Sequence, residues 1–338
     1  RLALSADNHN SMNGIVEYAR RRGATTITLP LDASLRLDEP HEALRSRPVS
    51  GPSLLGYPAQ SNFSGVRHPF SLVGAAQRLG YRVLLDAAAF VPTSPLSLRE
   101  VRPDFVALSL YKLFGFPTGV GALVARRDAI SQLARPYFAG GTVDWVSVQH
   151  RAHQLRAGPG AFEDGTPNFY GLAAAHAGFD LLARVDMHAL SARVTQLAAL
   201  ARREMQRAAH ANGAPMFRVY SPEDGCDLGG TLAVNVLDAR GIPIPYELVE
   251  TAARDHRVAV RGGCFCNPGA AEAAFGFRAE STRRCLRTLG RDFTPRRLGD
   301  CLNDGTAVGA IRLSFGLATS EDDVVRGATA LANTYTAR

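Results

Sequence analysis

Lys112 is the only lysine in the chain, and the other 37 of its 38 basic residues are arginine. Guanidinium supplies positive charge but cannot form a Schiff base with a carbonyl, whereas an amine whose pKa is lowered can. A chain that uses guanidinium almost everywhere and keeps one lysine marks that lysine as a candidate reacting group. The bland alternative is a chance survivor on a solvated surface. Its neighbours, Ser109-Leu110-Tyr111-Lys112-Leu113-Phe114-Gly115, are mostly apolar and argue against that. Upstream, the apolar run Val83-Leu84-Leu85 ends on Asp86. A lysine at one strand end and a carboxylate at another are what pyridoxal phosphate (PLP) requires. One is its imine partner, and the other keeps the pyridine nitrogen protonated so that the ring can take electrons from a substrate Cα.

The elements that must position these groups follow from apolar periodicity and from breakers. Short apolar runs predict strands at 2–5, 25–29, 54–58, 81–86, 105–110 and 122–125. Between them, 12–22 reads as a helix closed by Gly23, with capping chemistry in Asp7-Asn8-His9-Asn10-Ser11, and 69–80 as another helix. Residues 30–53 read as a loop around a weak helix. A long helical stretch from Asn168 to about Ala211, broken near Asp186, precedes predicted strands at 217–220, 231–237 and 258–260. Helices are expected at 245–255, 295–302 and 321–337.

With 338 residues, 46% hydrophobic and 20% charged, the chain suits a globular enzyme of one large α/β domain plus a smaller one. No apolar run approaches membrane-spanning length, and the first residues lack a basic-then-apolar export signal. The charge of +7 comes from scattered arginines with no aromatic interleaving, so nucleic-acid binding is not expected. Five cysteines, odd in number and spread out, do not suggest a disulfide framework and fit a reducing, cytoplasmic compartment. Gly119-Val120-Gly121 is neither a dinucleotide fingerprint, because a strand follows it, nor a P-loop, because the lysine precedes it. His150-x-x-His153 lacks a third ligand at a useful spacing, so no metal is expected.

The Asp86 and Lys112 segments resemble the class V aminotransferase family of fold-type I PLP enzymes. Ser-Leu-Tyr-Lys-Leu-Phe-Gly-Phe-Pro-Thr-Gly-Val-Gly at 109–121 is most similar to the cysteine-desulfurase-like domain of molybdenum cofactor sulfurases. The resemblance covers nearly the whole chain. It implies an α/β fold with a mainly parallel sheet, helices on both faces and a smaller α+β C-terminal domain. The expected division is 1–167 for the large cofactor-binding domain, 168–212 for bridging helices and 213–338 for the small domain. Relatives carry a further segment before residue 1 that includes the glycine-and-threonine loop holding the PLP phosphate. By resemblance, His9 stacks on the PLP ring and Asn62 of Gln-Ser-Asn-Phe-Ser-Gly bonds its phenolic oxygen. Ser109 and Tyr111 serve its phosphate, and Thr166 of Glu-Asp-Gly-Thr-Pro-Asn reaches the phosphate of a partner subunit, which implies a homodimer. Ala89 stands where many cysteine desulfurases have glutamine, as the sulfurase branch would.

A second chemical stretch, Arg261-Gly262-Gly263-Cys264-Phe265-Cys266-Asn267-Pro268-Gly269, resembles the cysteine loop of the same family. By that resemblance Arg261 clamps the substrate carboxylate and Cys266 is the nucleophile. Glycines let the loop swing, and Asn-Pro-Gly opens a helix whose dipole lowers the thiol pKa. Arg312, in Ala-Ile-Arg-Leu-Ser, is a second candidate anion contact, with a solvent-facing strand arginine as its alternative. A zinc site built from Cys264, Cys266, Cys285 and Cys301 has poor spacing. The implied reaction takes sulfur from L-cysteine as a persulfide on Cys266, releases alanine and hands the sulfur to an acceptor, the molybdenum cofactor in the resembling branch. The rivals are another class V PLP enzyme (a general cysteine desulfurase, or a transaminase or lyase that would not need Cys266) and a truncated non-catalytic remnant.

Overall fold

Leucine- and valine-rich runs punctuated by glycine and proline build the first sheet. In the computed structural model, which describes residues 1–46, 51–302 and 307–336, its strands are β1 (Leu2–Ser5), β2 (Thr26–Leu29), β3 (Leu54–Pro58), β4 (Arg82–Asp86), β5 (Phe105–Ser109) and β6 (Gly121–Ala125). They stand in the order β2-β1-β3-β4-β5-β6, parallel through β5, with β6 antiparallel at the edge. The associated helices are α1 (Asn10–Asn13), α2 (Ile15–Arg21), α3 (Pro40–Arg45), α4 (Ser71–Arg78), α5 (Leu110–Phe114) and α6 (Arg127–Ile130).

Alternation along the strands decides which face each side chain covers. Leu55, Tyr57, Val83 and Leu85 bury against Leu44 of α3 and Leu72 and Ala76 of α4. On the opposite face lies α1. A Cβ on Gly56 would come within 2.6 Å of the end of the Met12 side chain, so a larger residue there would have to push that side chain aside. The helix expected over 12–22 is interrupted at Gly14, and His9 caps its first part. The strand expected to reach Leu110 stops at Ser109, where α5 begins.

A hairpin of β7 (Val143–Ser147) and β8 (Ala152–Leu155) follows, which the sequence did not announce. Then come α7 (Phe169–Leu182) and α8 (Met187–Arg207), with the break near Asp186 as expected and with Asn168 and Asp186 as their capping residues. The second sheet is antiparallel, in the order β11-β12-β10-β9, from β9 (Phe217–Tyr220), β10 (Thr231–Val236), β11 (Arg261–Gly263) and β12 (Ala310–Ser314). Its helices are α9 (Tyr246–Asp255), α10 (Pro268–Phe275), α11 (Ala279–Leu289), α12 (Pro295–Leu302) and α13 (Glu321–Thr336). Met205 of α8, Val249 of α9 and Leu331 of α13 share one apolar core with Val234 and Ile311 of this sheet.

Two expectations are corrected here. Residues 258–260 are not a strand. Val258 and Val260 pack at the margin of that core, and pairing begins at Arg261, opposite Arg312. A disulfide joins Cys285 of α11 to Cys301 of α12, with Cα atoms 5.8 Å apart. The arginine-rich helix α11 was not foreseen, so nothing in the spacing showed that α11 and α12 lie side by side. No helix among the described residues is long and apolar enough to cross a membrane.

A separate cluster ties the two sheets together. Phe63, which follows β3, packs with Tyr220 of β9, Ala233 of β10, Ala270 of α10 and Phe265. This joint carries the stretch around Cys266 to the ends of the parallel strands, where open α/β sheets bind ligands.

Candidate functional site

Asp86 ends β4 and is 8% exposed. One carboxylate oxygen accepts from the Ala88 amide at 3.0 Å, and the other has no hydrogen-bond partner among the described residues. Lys112 lies in α5, just beyond β5. Burial lowers its pKa. Asp86 and the Cys266 side chain pull the other way, and the Arg312 charge adds to the lowering. These mutual influences place four expected site residues in one cluster. His9 is the fifth. Burial lowers its pKa first and the Lys112 charge second, with Asp86 opposing and Arg312 adding. Its Nδ1 accepts from the Ser11 amide at 3.1 Å, which fixes the ring's attitude at the head of α1.

Arg312 of β12 and Arg261 of β11 are register partners on facing strands. Burial lowers the Arg312 pKa, and the Arg261 charge lowers it further. Its Nη1 donates to the Asn62 carbonyl at 3.1 Å, and its guanidinium sits 5.0 Å from the Phe265 ring centroid. Its Nε is buried with no hydrogen-bond partner. Neither arginine forms an ion pair with a carboxylate among the described residues. Two guanidiniums side by side with no counter-charge can hold an anion such as a carboxylate.

The cysteine loop lies between β11 and α10. Phe265 and Cys266 both have left-handed backbones, φ +56° and +55°. Each such non-glycine residue costs about 1–2 kcal/mol, so the surroundings must impose it. Asn62 Nδ2 donates to the Phe265 carbonyl at 2.7 Å, and the Asn10 amide to the Cys266 carbonyl at 2.7 Å. The Phe265 ring is buried 5.4 Å from that of Phe63. The loop expected to swing is fastened. Its two thiols differ. Cys266 is exposed, whereas Cys264 is part-buried and donates to the Val308 carbonyl at 3.2 Å. Burial pushes the Cys264 pKa up, with Glu272 and Cys266 adding, which leaves it the poorer nucleophile.

The remaining expected residues stand further out. Ser109 stands just before α5, without a side-chain capping bond, and is half-buried; Tyr111 is 43% exposed and bears on the charge of Arg312. Thr166 is exposed, and no hydrogen bond or ion pair joins it to the cluster. Among the described residues no three His, Cys, Asp or Glu side chains converge as a metal site would need, and the disulfide takes two of the four cysteines of the zinc alternative.

Three contributors escaped the sequence reading. Asn267 is fully buried and bridges Asn62 to the Asp7 carbonyl. Beneath them, His68 Nε2 lies 2.6 Å from Asp7 Oδ2, both side chains at most 1% exposed. Nothing local in the sequence signals these links, because the partners are 61 to 260 residues apart.

Comparison with known proteins gives the family. The aminotransferase class-V family model matches residues 2–326. A molybdenum cofactor sulfurase of Anopheles gambiae is 37% identical over 95% of this chain and 43% of its own length. One of Drosophila mojavensis is 33% identical over 97% of this chain and 46% of its own. The chain thus spans less than half the length of these relatives. An apo structure of a cysteine desulfurase from Thermococcus onnurineus NA1 superposes with a TM-score of 0.77 at 20% identity, covering 100% of this chain and 73% of that one. The chain belongs to the class-V aminotransferase family.

Proposed function

We propose that this chain is a PLP-dependent, cysteine-desulfurase-like sulfurtransferase that moves sulfur from L-cysteine to Cys266 as a persulfide and releases alanine. The observation that carries the reading is the cluster itself: an amine with a lowered pKa, a carboxylate with a free oxygen, two unpaired guanidiniums and an exposed thiol at one crevice. These residues fit PLP. Lys112 would hold it, Asp86 would face its ring nitrogen, His9 would lie against the ring, and Asn62, Ser109 and Tyr111 would meet its polar groups. When bound, PLP supplies the electron sink that lets the substrate Cα proton leave and the carbon–sulfur bond weaken.

The chain's own residues account for the rest. Arg261 and Arg312 bind the substrate carboxylate and orient the amino acid. Lys112, neutral more readily than an ordinary lysine, takes and returns the proton at Cα. The Cys266 thiolate attacks the substrate sulfur. A sulfur–sulfur bond forms and the substrate Cβ–sulfur bond breaks. Its electron pair stays on Cβ, which takes up a proton and leaves as the methyl group of alanine.

The names of the relatives support the molybdenum cofactor as the final sulfur acceptor. A homodimer belongs to the same proposal. It is supported by large apolar side chains exposed on either side of Thr166 in the sequence, Trp145 at 51%, Val148 at 87% and Tyr170 at 80%, of the kind that partners cover. A cytoplasmic location is part of the same reading, favoured by the free, exposed thiols of Cys266 and Cys226 and opposed by the Cys285–Cys301 disulfide. Intact mass after incubation with PLP and L-cysteine tests the reading. A one-sulfur gain on the native chain, absent from Cys266→Ala, is expected. A chain that binds PLP and gains no sulfur would refute it.

A further inference from the structure

Asn267 uses the oxygen and both hydrogens of its side-chain amide. Oδ1 accepts from the Ala270 amide at 3.2 Å and so caps α10. That bond decides which way round the carboxamide sits, a choice its near-symmetric shape leaves open. Nδ2 must then face away from the helix, where it donates to the Asp7 carbonyl at 2.7 Å and to Asn62 Oδ1 at 2.9 Å. Asn62 is oriented in turn. With its oxygen engaged, its Nδ2 is the donor at the other end and takes the Phe265 carbonyl at 2.7 Å. The second Nδ2 hydrogen of Asn62 has no partner among the described residues.

We propose that Asn267 is a positioning residue: through the polarity that α10 imposes on it, it fixes Asn62 as a hydrogen-bond donor and holds Cys266 in register with the opposite side of the crevice. The inference rests on Cys266 as the sulfur-bearing thiol. Its geometry stands apart from that chemistry. The link crosses from the Asp7–Asn10 segment to the loop beside α10, and it is reinforced at two points. The Asn10 amide holds the Cys266 carbonyl. Gly269 lies so close to Ala6 that a Cβ there would be 2.1 Å from its carbonyl oxygen. Within this frame the left-handed Phe265-Cys266 pair is held by partners on the far side of the crevice. Losing Asn267 releases them and frees Asn62 to reverse.

A plain capping role predicts something different, and Asn267→Ser separates the two. Serine caps a helix as well as asparagine but cannot donate to Asp7 and Asn62 at once. Hydrogen–deuterium exchange of the peptides covering 8–12 and 264–268, and the rate at which iodoacetamide alkylates Cys266, are read on native and variant chains without cofactor. Exchange in both peptides is expected to quicken about tenfold, the effect of two lost neutral hydrogen bonds, and alkylation to quicken with it. In the chain loaded with PLP, kcat per bound cofactor for sulfur release from L-cysteine falls about tenfold while KM is held, because Arg261 and Arg312 are untouched. Native-like exchange and alkylation in Asn267→Ser would overturn the proposal. Should Asn267→Ser fail to fold, Asn62→Ala removes the far end of the link, leaves the cap in place and decides by the same two readings. If the native chain forms no persulfide, the functional reading fails while the exchange comparison still decides the link.

Discussion

Replacing His68 by alanine should destabilise this protein more than any surface substitution, and a second substitution at its partner should reveal the cause. The carboxyl group of Asp7 and the imidazole of His68 are 0% and 1% exposed, with Oδ2 and Nε2 2.6 Å apart. The other Asp7 oxygen is buried without a hydrogen-bond partner. Without the imidazole neither oxygen has one. Breaking a buried pair from one side costs about 3–5 kcal/mol, because the group left behind has lost water and gained nothing. Asp7→Asn in the His68→Ala background removes the stranded charge and should recover about 1–3 kcal/mol. Urea unfolding followed by far-UV circular dichroism measures both effects. A loss under about 1 kcal/mol, or a double variant no more stable than His68→Ala, would refute the prediction.

Cys266→Gly should stabilise the chain by about 1 kcal/mol relative to Cys266→Ala, since glycine adopts φ +55° without a Cβ penalty; equal urea midpoints would show that the loop is unstrained. Lys112 has its pKa lowered by burial, so the cost of its buried charge is present below the folded pKa and is relieved as pH rises toward the unfolded value. Lys112→Met should therefore raise the thermal midpoint near neutrality and lose that advantage in base, and a pH-independent difference would contradict it. Borohydride fixation of PLP on Lys112, read by peptide mass, should reach half its maximum at a lower pH than fixation on a free lysine. Phe265→Ala empties a buried site against Phe63 and Arg312 and should cost about 3–5 kcal/mol; loss of the persulfide at unchanged stability would mean that the ring acts otherwise.

What could be read in the chain beforehand were groups whose meaning is local. Lys112 is informative because of what surrounds it and because it stands alone, and Asp86 because it terminates an apolar run. Both strands fell within a residue of where they were expected, since a buried parallel strand writes itself as a continuous apolar segment. The helix start near Asn168 and the break near Asp186 were equally visible, because a cap and the amides it serves are neighbours in sequence. Residues 258–260 misled for the opposite reason. Two valines there satisfy the strand pattern, yet their apolar surface is taken up beside Val249 and Ala253 of α9 without ladder pairing. The hairpin of β7 and β8 was silent because its residues are largely exposed on both faces and carry no alternation. The disulfide was silent because α11 had to be placed before Cys285 could meet Cys301.

The glycines around Cys266 show how one composition supports two opposite physical readings. As sequence, Arg-Gly-Gly-Cys-Phe-Cys-Asn-Pro-Gly is a flexible tether. In the fold each glycine is there because something else occupies the space a side chain would need, or because the backbone demands it. A Cβ on Gly262 would lie 2.3 Å from the Tyr246 ring and 2.9 Å from the Glu250 carboxyl group, whose oxygen accepts from the Gly262 amide at 2.6 Å. Gly263 sits at φ +110°, closed to other residues. Gly269 meets the Ala6 carbonyl. Glycine lowers the cost of motion in an open loop, but in a closed one it lets backbones approach until their hydrogen bonds and neighbours hold them. Asn62, Asn10 and Asn267 supply those bonds here. The same residues that suggested a swinging arm are therefore what allow Cys266 to be pinned at the crevice.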